Sequence, residues 1–189
     1  MEFQKVLEST EDETLRRRCY NSLAETYLES GDYQASIDLL EEAVAQPQMS
    51  MDPVLYEMLG LAYYQYSQKE GLSYRMAAQA FEQALQLGMQ KEYVYTNAAY
   101  LYIMSDEDAK AQSVLDGMEQ VYPNSYLPHA LRAVSYIYAE NAKAQDQRDY
   151  SAAQEEYETA KSMTTSSDDQ TYLQMVESLI AELERKGWL

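Results

Sequence analysis

The stretch Leu23-Ala24-Glu25-Thr26-Tyr27 decides the fold, because its pattern returns three times. The returns are Leu59-Gly60-Leu61-Ala62-Tyr63, Ala98-Ala99-Tyr100-Leu101-Tyr102 and Arg132-Ala133-Val134-Ser135-Tyr136. The four tyrosines stand 36, 39 and 34 residues apart. Self-similarity at a period of roughly 20 to 50 residues marks a chain of stacked supersecondary units. The small residue at the second position lets two helices approach closely. The tyrosine three positions later, on the same helical face, fills the gap between turns.

Working outward, each pattern lies on a helix followed by a second helix. Helical spacing of Cys19, Leu23 and Tyr27 predicts a helix over 15–29, and Gly31 supplies a left-handed residue after it. Ile37, Leu40, Ala43 and Val44 predict a partner over 33–46, which Pro47 ends. Asp52-Pro53 is a helix-start pair and opens a helix to about 66. Its partner covers 73–87 with Ala77, Phe81 and Ala84 inward. The third pair is 92–104 with 106–121, closed by Pro123-Asn124, and the fourth is 127–144 with 150–163. Ser166-Ser167-Asp168 caps a last helix over 169–186, whose apolar stripe runs from Tyr172 to Leu183. Two polar insertions, 68–73 and 141–149, lengthen the second and fourth units and should be longer helix ends or surface loops.

These residues resemble the tetratricopeptide repeat family, a 34-residue helix–turn–helix unit. The first unit carries Tyr20, Leu23, Ala24, Tyr27, Gly31-Asp32-Tyr33, Ile37, Leu40 and Ala43 at the family's spacing. Tyr56, Gly60, Tyr63, Ala77, Phe81 and Ala84 repeat it, as do Tyr95, Ala99, Tyr102, Ala111, Leu115 and Pro123. Ala133, Tyr136, Tyr150, Ala153, Tyr157 and Ala160 carry the fourth copy. The resemblance implies an all-α chain built as a right-handed α-solenoid. It implies one domain over 1–189, with repeats at 17–50, 53–91, 92–125 and 126–163 and a capping helix over 168–186. Met118 departs from the family where a small residue is usual. Arg132 departs where a leucine is usual, which shifts the inward role to Leu131. Residues 3–8 are similar to 40–45, the end of a second helix. Residues 1–10 therefore read as a remnant of a preceding repeat in a longer protein, the alternative being a free-standing helix.

In that family the first helix of each repeat lines a concave groove that holds a peptide. Carried over, the groove takes Asn21 and Glu25, then Glu57, Leu61 and Tyr64, then Tyr93, Asn97, Tyr100 and Met104, and finally Val134, Ile137 and Tyr138. It runs from polar and acidic to apolar and aromatic. No lysine occupies these positions, so a carboxylate-terminal peptide is disfavoured. A segment with apolar anchors and a basic residue fits better. Tyrosine offers large amphipathic contact area at low entropy cost, although many of the 19 tyrosines also serve as packing, and a docked terminal helix could fill the groove.

Composition narrows the partner further. Thirty-two acids face 14 bases, for a formal charge of −18. Nucleic acid and anionic membrane surfaces need clustered lysine and arginine and are not expected as partners. No apolar run reaches the roughly 20 residues of a membrane span, so direct insertion is not expected. The one cysteine, Cys19, leaves no intrachain disulfide and suits a reducing compartment, which favours the cytoplasm slightly over an exported or lipid-anchored fragment.

No catalytic, metal or cofactor constellation emerges. His129, the single histidine, reads as a surface residue, and Cys19 as a half-buried packing residue despite Arg16, Arg17 and Arg18 beside it. Glu41-Glu42, Glu155-Glu156 and Asp168-Asp169 are solvated faces or helix-start charges. Asp106-Glu107-Asp108 opens a helix and lacks the glycine of a calcium loop. The expectation is a non-enzymatic protein-interaction module. The alternatives are a self-associating scaffold, or a peptide-sensing domain of a larger regulator.

Overall fold

The structure, a computed structural model of the chain, describes residues 6, 7, 9–165 and 169–189. Among the described residues it is all-helical. The helices are α1 (Glu13–Ser30), α2 (Tyr33–Val44), α3 (Pro53–Glu70), α4 (Arg75–Gln86), α5 (Glu92–Ile103), α6 (Asp108–Val121), α7 (Leu127–Asn141), α8 (Ser151–Met163) and α9 (Thr171–Arg185). They gather into two compact units. The first runs to Leu101 and the second begins at Tyr102, so the division falls inside α5.

In the first unit α1 and α2 form an antiparallel hairpin. The Ser36 hydroxyl donates to the carbonyl of Ala24 near the turn, and the Tyr20 hydroxyl reaches Glu42 at the far end. The turn itself comes from Gly31, whose φ of 76° is cheap only without a β-carbon. Its N–H donates to the Leu28 carbonyl, and the N–H of Asp32 donates to that of Tyr27. Asp12 starts α1 two residues earlier than expected by accepting the N–H groups of Thr14 and Leu15. α3 and α4 pair in the same way. α3 extends to Glu70, so the 68–73 insertion is a longer helix end plus a short turn through Gly71. Tyr20, Leu40, Met49, Leu55 and Leu59 close one continuous core among α1, α2 and α3.

In the second unit α6, α7, α8 and α9 pack together, α7 touching all three of the others. α7 ends at Asn141 rather than 144, and the 141–149 insertion leaves it as a loop with one turn of 3-10 helix, Gln145–Gln147. Arg148 pins that loop by donating to the carbonyls of Asn141 and Lys143, while its guanidinium lies 4.6 Å from the Trp188 ring. Leu173, Val176, Ile180 and Leu183 form the buried stripe of α9.

Other helix starts also differ from the sequence reading. Asp106 does not open α6. It holds φ at 56° and closes α5, with its own N–H on the Ile103 carbonyl and that of Glu107 on the Tyr102 carbonyl. Asp106 thus does the work that Gly31 does in the first hairpin. The expected Ser166-Ser167-Asp168 cap lies outside the described residues, as do residues 1–5 and 8 of the N-terminal segment. α9 starts at Thr171, whose N–H and hydroxyl both donate to the Asp169 carboxylate.

Candidate functional site

Groove positions of the first unit come from α1, α3 and α5. Tyr93 is 45% exposed and Glu25 is open to solvent. Asn21, Leu61, Tyr64, Asn97 and Tyr100 are half-buried. A helical period of 3.6 places Glu57, Leu61 and Tyr64 on one face of α3, and Tyr93, Asn97 and Tyr100 on one face of α5. The Tyr64 hydroxyl accepts from Gln68, and its ring lies 5.8 Å from that of Tyr74.

Glu57 is not the open acid that the sequence suggested. It is buried, and its carboxylate accepts two bonds from Lys91 at 2.8 and 2.9 Å. The same ammonium lies 5.6 Å from the Tyr93 ring centre. Lys91 precedes α5 and stands 34 residues after Glu57. A second pair repeats this arrangement with the signs reversed. Arg17 on α1 meets Asp52, just before α3, at 2.5 Å. Asp52 also accepts the N–H of Val54 and so caps α3. α1 is thereby tied to the start of α3, and α3 to the start of α5. The signal in the sequence was the spacing of opposite charges by one repeat, Arg17 to Asp52 and Glu57 to Lys91. On α1, Asn21 Oδ1 is buried with no hydrogen-bond partner among the described residues.

In the second unit the placement differs. Val134 and Ile137 are fully buried, because α7 is packed by α6, α8 and α9. They are core, and they offer no surface to a ligand. Tyr138 is half-buried and Met104 is 39% exposed. Leu131 does take the inward place, at 0% exposure. Arg132 lies beside it, 8% exposed, bound to Asp116 at 2.7 Å and Glu119 at 2.8 Å. Burial alone would lower its pKa, but the bonds it donates to Glu119 and Asp116 outweigh that and raise it.

His129 is also not a surface residue. It is part-buried, with Nδ1 2.6 Å from a carboxylate oxygen of Glu156. Cys19 is fully buried in the first unit. Several tyrosines prove to be packing residues with a carboxylate partner. Tyr63 donates to Glu41, Tyr20 to Glu42 and Tyr157 to Glu177. Among the described residues, no group of three or more His, Cys, Asp and Glu side chains could hold a metal ion. None of the described helices is long and apolar enough to cross a membrane.

No family model matches the chain, and no curated protein matches it at the level of significance.

Proposed function

We propose that the chain is a tetratricopeptide-like α-solenoid and works as a non-enzymatic module that binds a peptide segment along α1, α3 and α5. The observation that carries this reading is the row of exposed and half-buried aromatic and amide side chains on the first helices of the first unit. Tyr64, Tyr93, Asn97 and Tyr100 supply stacking and hydrogen-bonding surface. With Glu57 neutralised by Lys91, Glu25 is the acid available to a basic residue of the ligand.

The test is an affinity pull-down with wild type beside a Tyr93→Ala/Tyr100→Ala variant whose helicity is unchanged. A protein held by the first and lost by the second supports the reading and names the partner. A partner retained equally by both removes it. Self-association is the second reading, favoured by the exposed Leu15, Met51 and Val54, each within two residues in sequence of Arg17 or Asp52. Sedimentation that stays monomeric at high concentration removes that one.

A further inference from the structure

A cavity of about 440 Å³ opens on the first unit between α2, α3 and α4. Its walls are Val44, Tyr56, Leu59, Tyr63 and Met76, and its rim carries Glu41. On α3 the residues Tyr56, Leu59 and Tyr63 point about 130° away from Glu57, Leu61 and Tyr64, at 100° per residue. No lining residue belongs to the groove described above. The depression is mostly apolar and opens widely to solvent, with Gln79 and Gln83 of α4 also lining it. Met76 is 49% exposed at its edge, a flexible, polarisable side chain suited to an adaptable contact.

The charge of this cavity is one-sided. Glu41 is exposed and accepts a bond from the Tyr63 hydroxyl, and Asp38, one turn earlier, also acts on that phenol. No lysine or arginine is among the lining residues. A second copy of a chain carrying −18 would bring carboxylates toward carboxylates, which is unfavourable. A basic partner is drawn to the same rim.

We infer that this cavity is a second docking site, separate from the groove, for a partner segment that inserts one bulky apolar side chain beside Met76 and sets a neighbouring lysine or arginine on Glu41. The Tyr63 hydroxyl holds the carboxylate at the rim. An arriving cation competes with that hydroxyl for the same oxygens.

The test uses the full chain labelled with 13C-methyl methionine, the Met76 signal being assigned with Met76→Leu. The probe is an acetylated, amidated amphipathic helical peptide of leucine, lysine and alanine. Two control peptides replace every lysine by glutamate or every leucine by serine. The lysine–leucine peptide should shift the Met76 methyl, and neither control should. Glu41→Gln, an exposed change, should weaken binding by about threefold to tenfold. Tyr63→Phe, which frees the carboxylate, should leave binding equal or tighter. Tyr93→Ala/Tyr100→Ala should leave it unchanged, which separates this site from the groove. The inference is overturned by an unmoved Met76 signal, by a glutamate peptide that binds as well, or by Glu41→Gln without effect. It is equally overturned by loss of binding in the groove variant, or by a Met76 shift that follows protein concentration without peptide.

Discussion

The α-carbon of Gly60 on α3 lies against the ring of Phe81 on α4. A methyl group built at Gly60 would sit 2.9 Å from the ring's Cγ and Cδ1. Phe81 is fully buried, so its ring has little room to retreat. Gly60→Ala gains about 1 kcal/mol of helix propensity. It meets an overpacking cost of about 1–3 kcal/mol. A net loss of stability is expected, read as a lower urea midpoint. Adding Phe81→Leu should recover part of it. A Gly60→Ala variant more stable than wild type would show that the ring moves aside freely.

Gly60 also shows how far the sequence reaches. A glycine in mid-helix at the repeat's small position announces a close helix approach, and the structure supplies one. The α1–α2, α3–α4 and α7–α8 hairpins, and the buried Leu131 beside Arg132, were legible because they follow local periodicity. The exposure of the expected groove positions was legible only in part. Val134 and Ile137 sit at first-helix positions like their counterparts. What buries them is the packing of α6, α8 and α9 on α7, a non-local fact that no helical wheel contains. Glu57 looked like an open acid because Lys91 lies a full repeat away. Asp106 looked like a helix start because an aspartate there is common, whereas its left-handed φ is set by how α5 ends.

That φ gives the next prediction. An L residue with a β-carbon in the left-handed region costs about 1–2 kcal/mol, and aspartate reduces this only in part. Asp106→Gly should therefore stabilise the chain by about 0.5 kcal/mol, after the extra freedom of glycine in the unfolded state is subtracted. Asp106→Val should destabilise it, since a β-branched residue tolerates this φ least. Paired urea titrations check both. A destabilised Asp106→Gly would mean that the carboxylate itself, rather than the backbone turn, is what matters.

Arg132 offers a test of charge against shape. Its guanidinium is buried, but Asp116 and Glu119 are 65% and 44% exposed and can return to water. Arg132→Leu, the residue the repeat pattern prefers, should be close to neutral, within about 1 kcal/mol, because an ion pair taken out of water gains little net energy. Arg132→Ala should cost about 1–3 kcal/mol, since the packing of the long side chain is lost too. Equal, large losses in both variants would assign the stability to the ion pairs.

The buried Tyr20 and Tyr157 and the half-buried Tyr63 predict an alkaline transition. Burial, and then the neighbouring carboxylates, raise the phenol pKa values of Tyr63 and Tyr157 above the ordinary value near 10. Burial also raises Tyr20, where the bond from Gln46 opposes and Glu42 adds to the rise. A group whose folded-state pKa is raised contributes stability that is complete below its unfolded pKa and is lost as pH rises through the folded value. The neutral phenols therefore stabilise the fold fully below about pH 10. Above that, ionising them would bury charge beside Glu41, Glu42 and Glu177, and unfolding relieves it. Absorbance at 295 nm, followed beside far-UV circular dichroism, should show part of the tyrosine ionisation arriving together with loss of helix. Tyr63→Phe removes one acceptor of that strain, so its helix should persist to higher pH. Complete tyrosine ionisation in one step with the helices intact would contradict the carboxylate-paired packing from which the prediction comes.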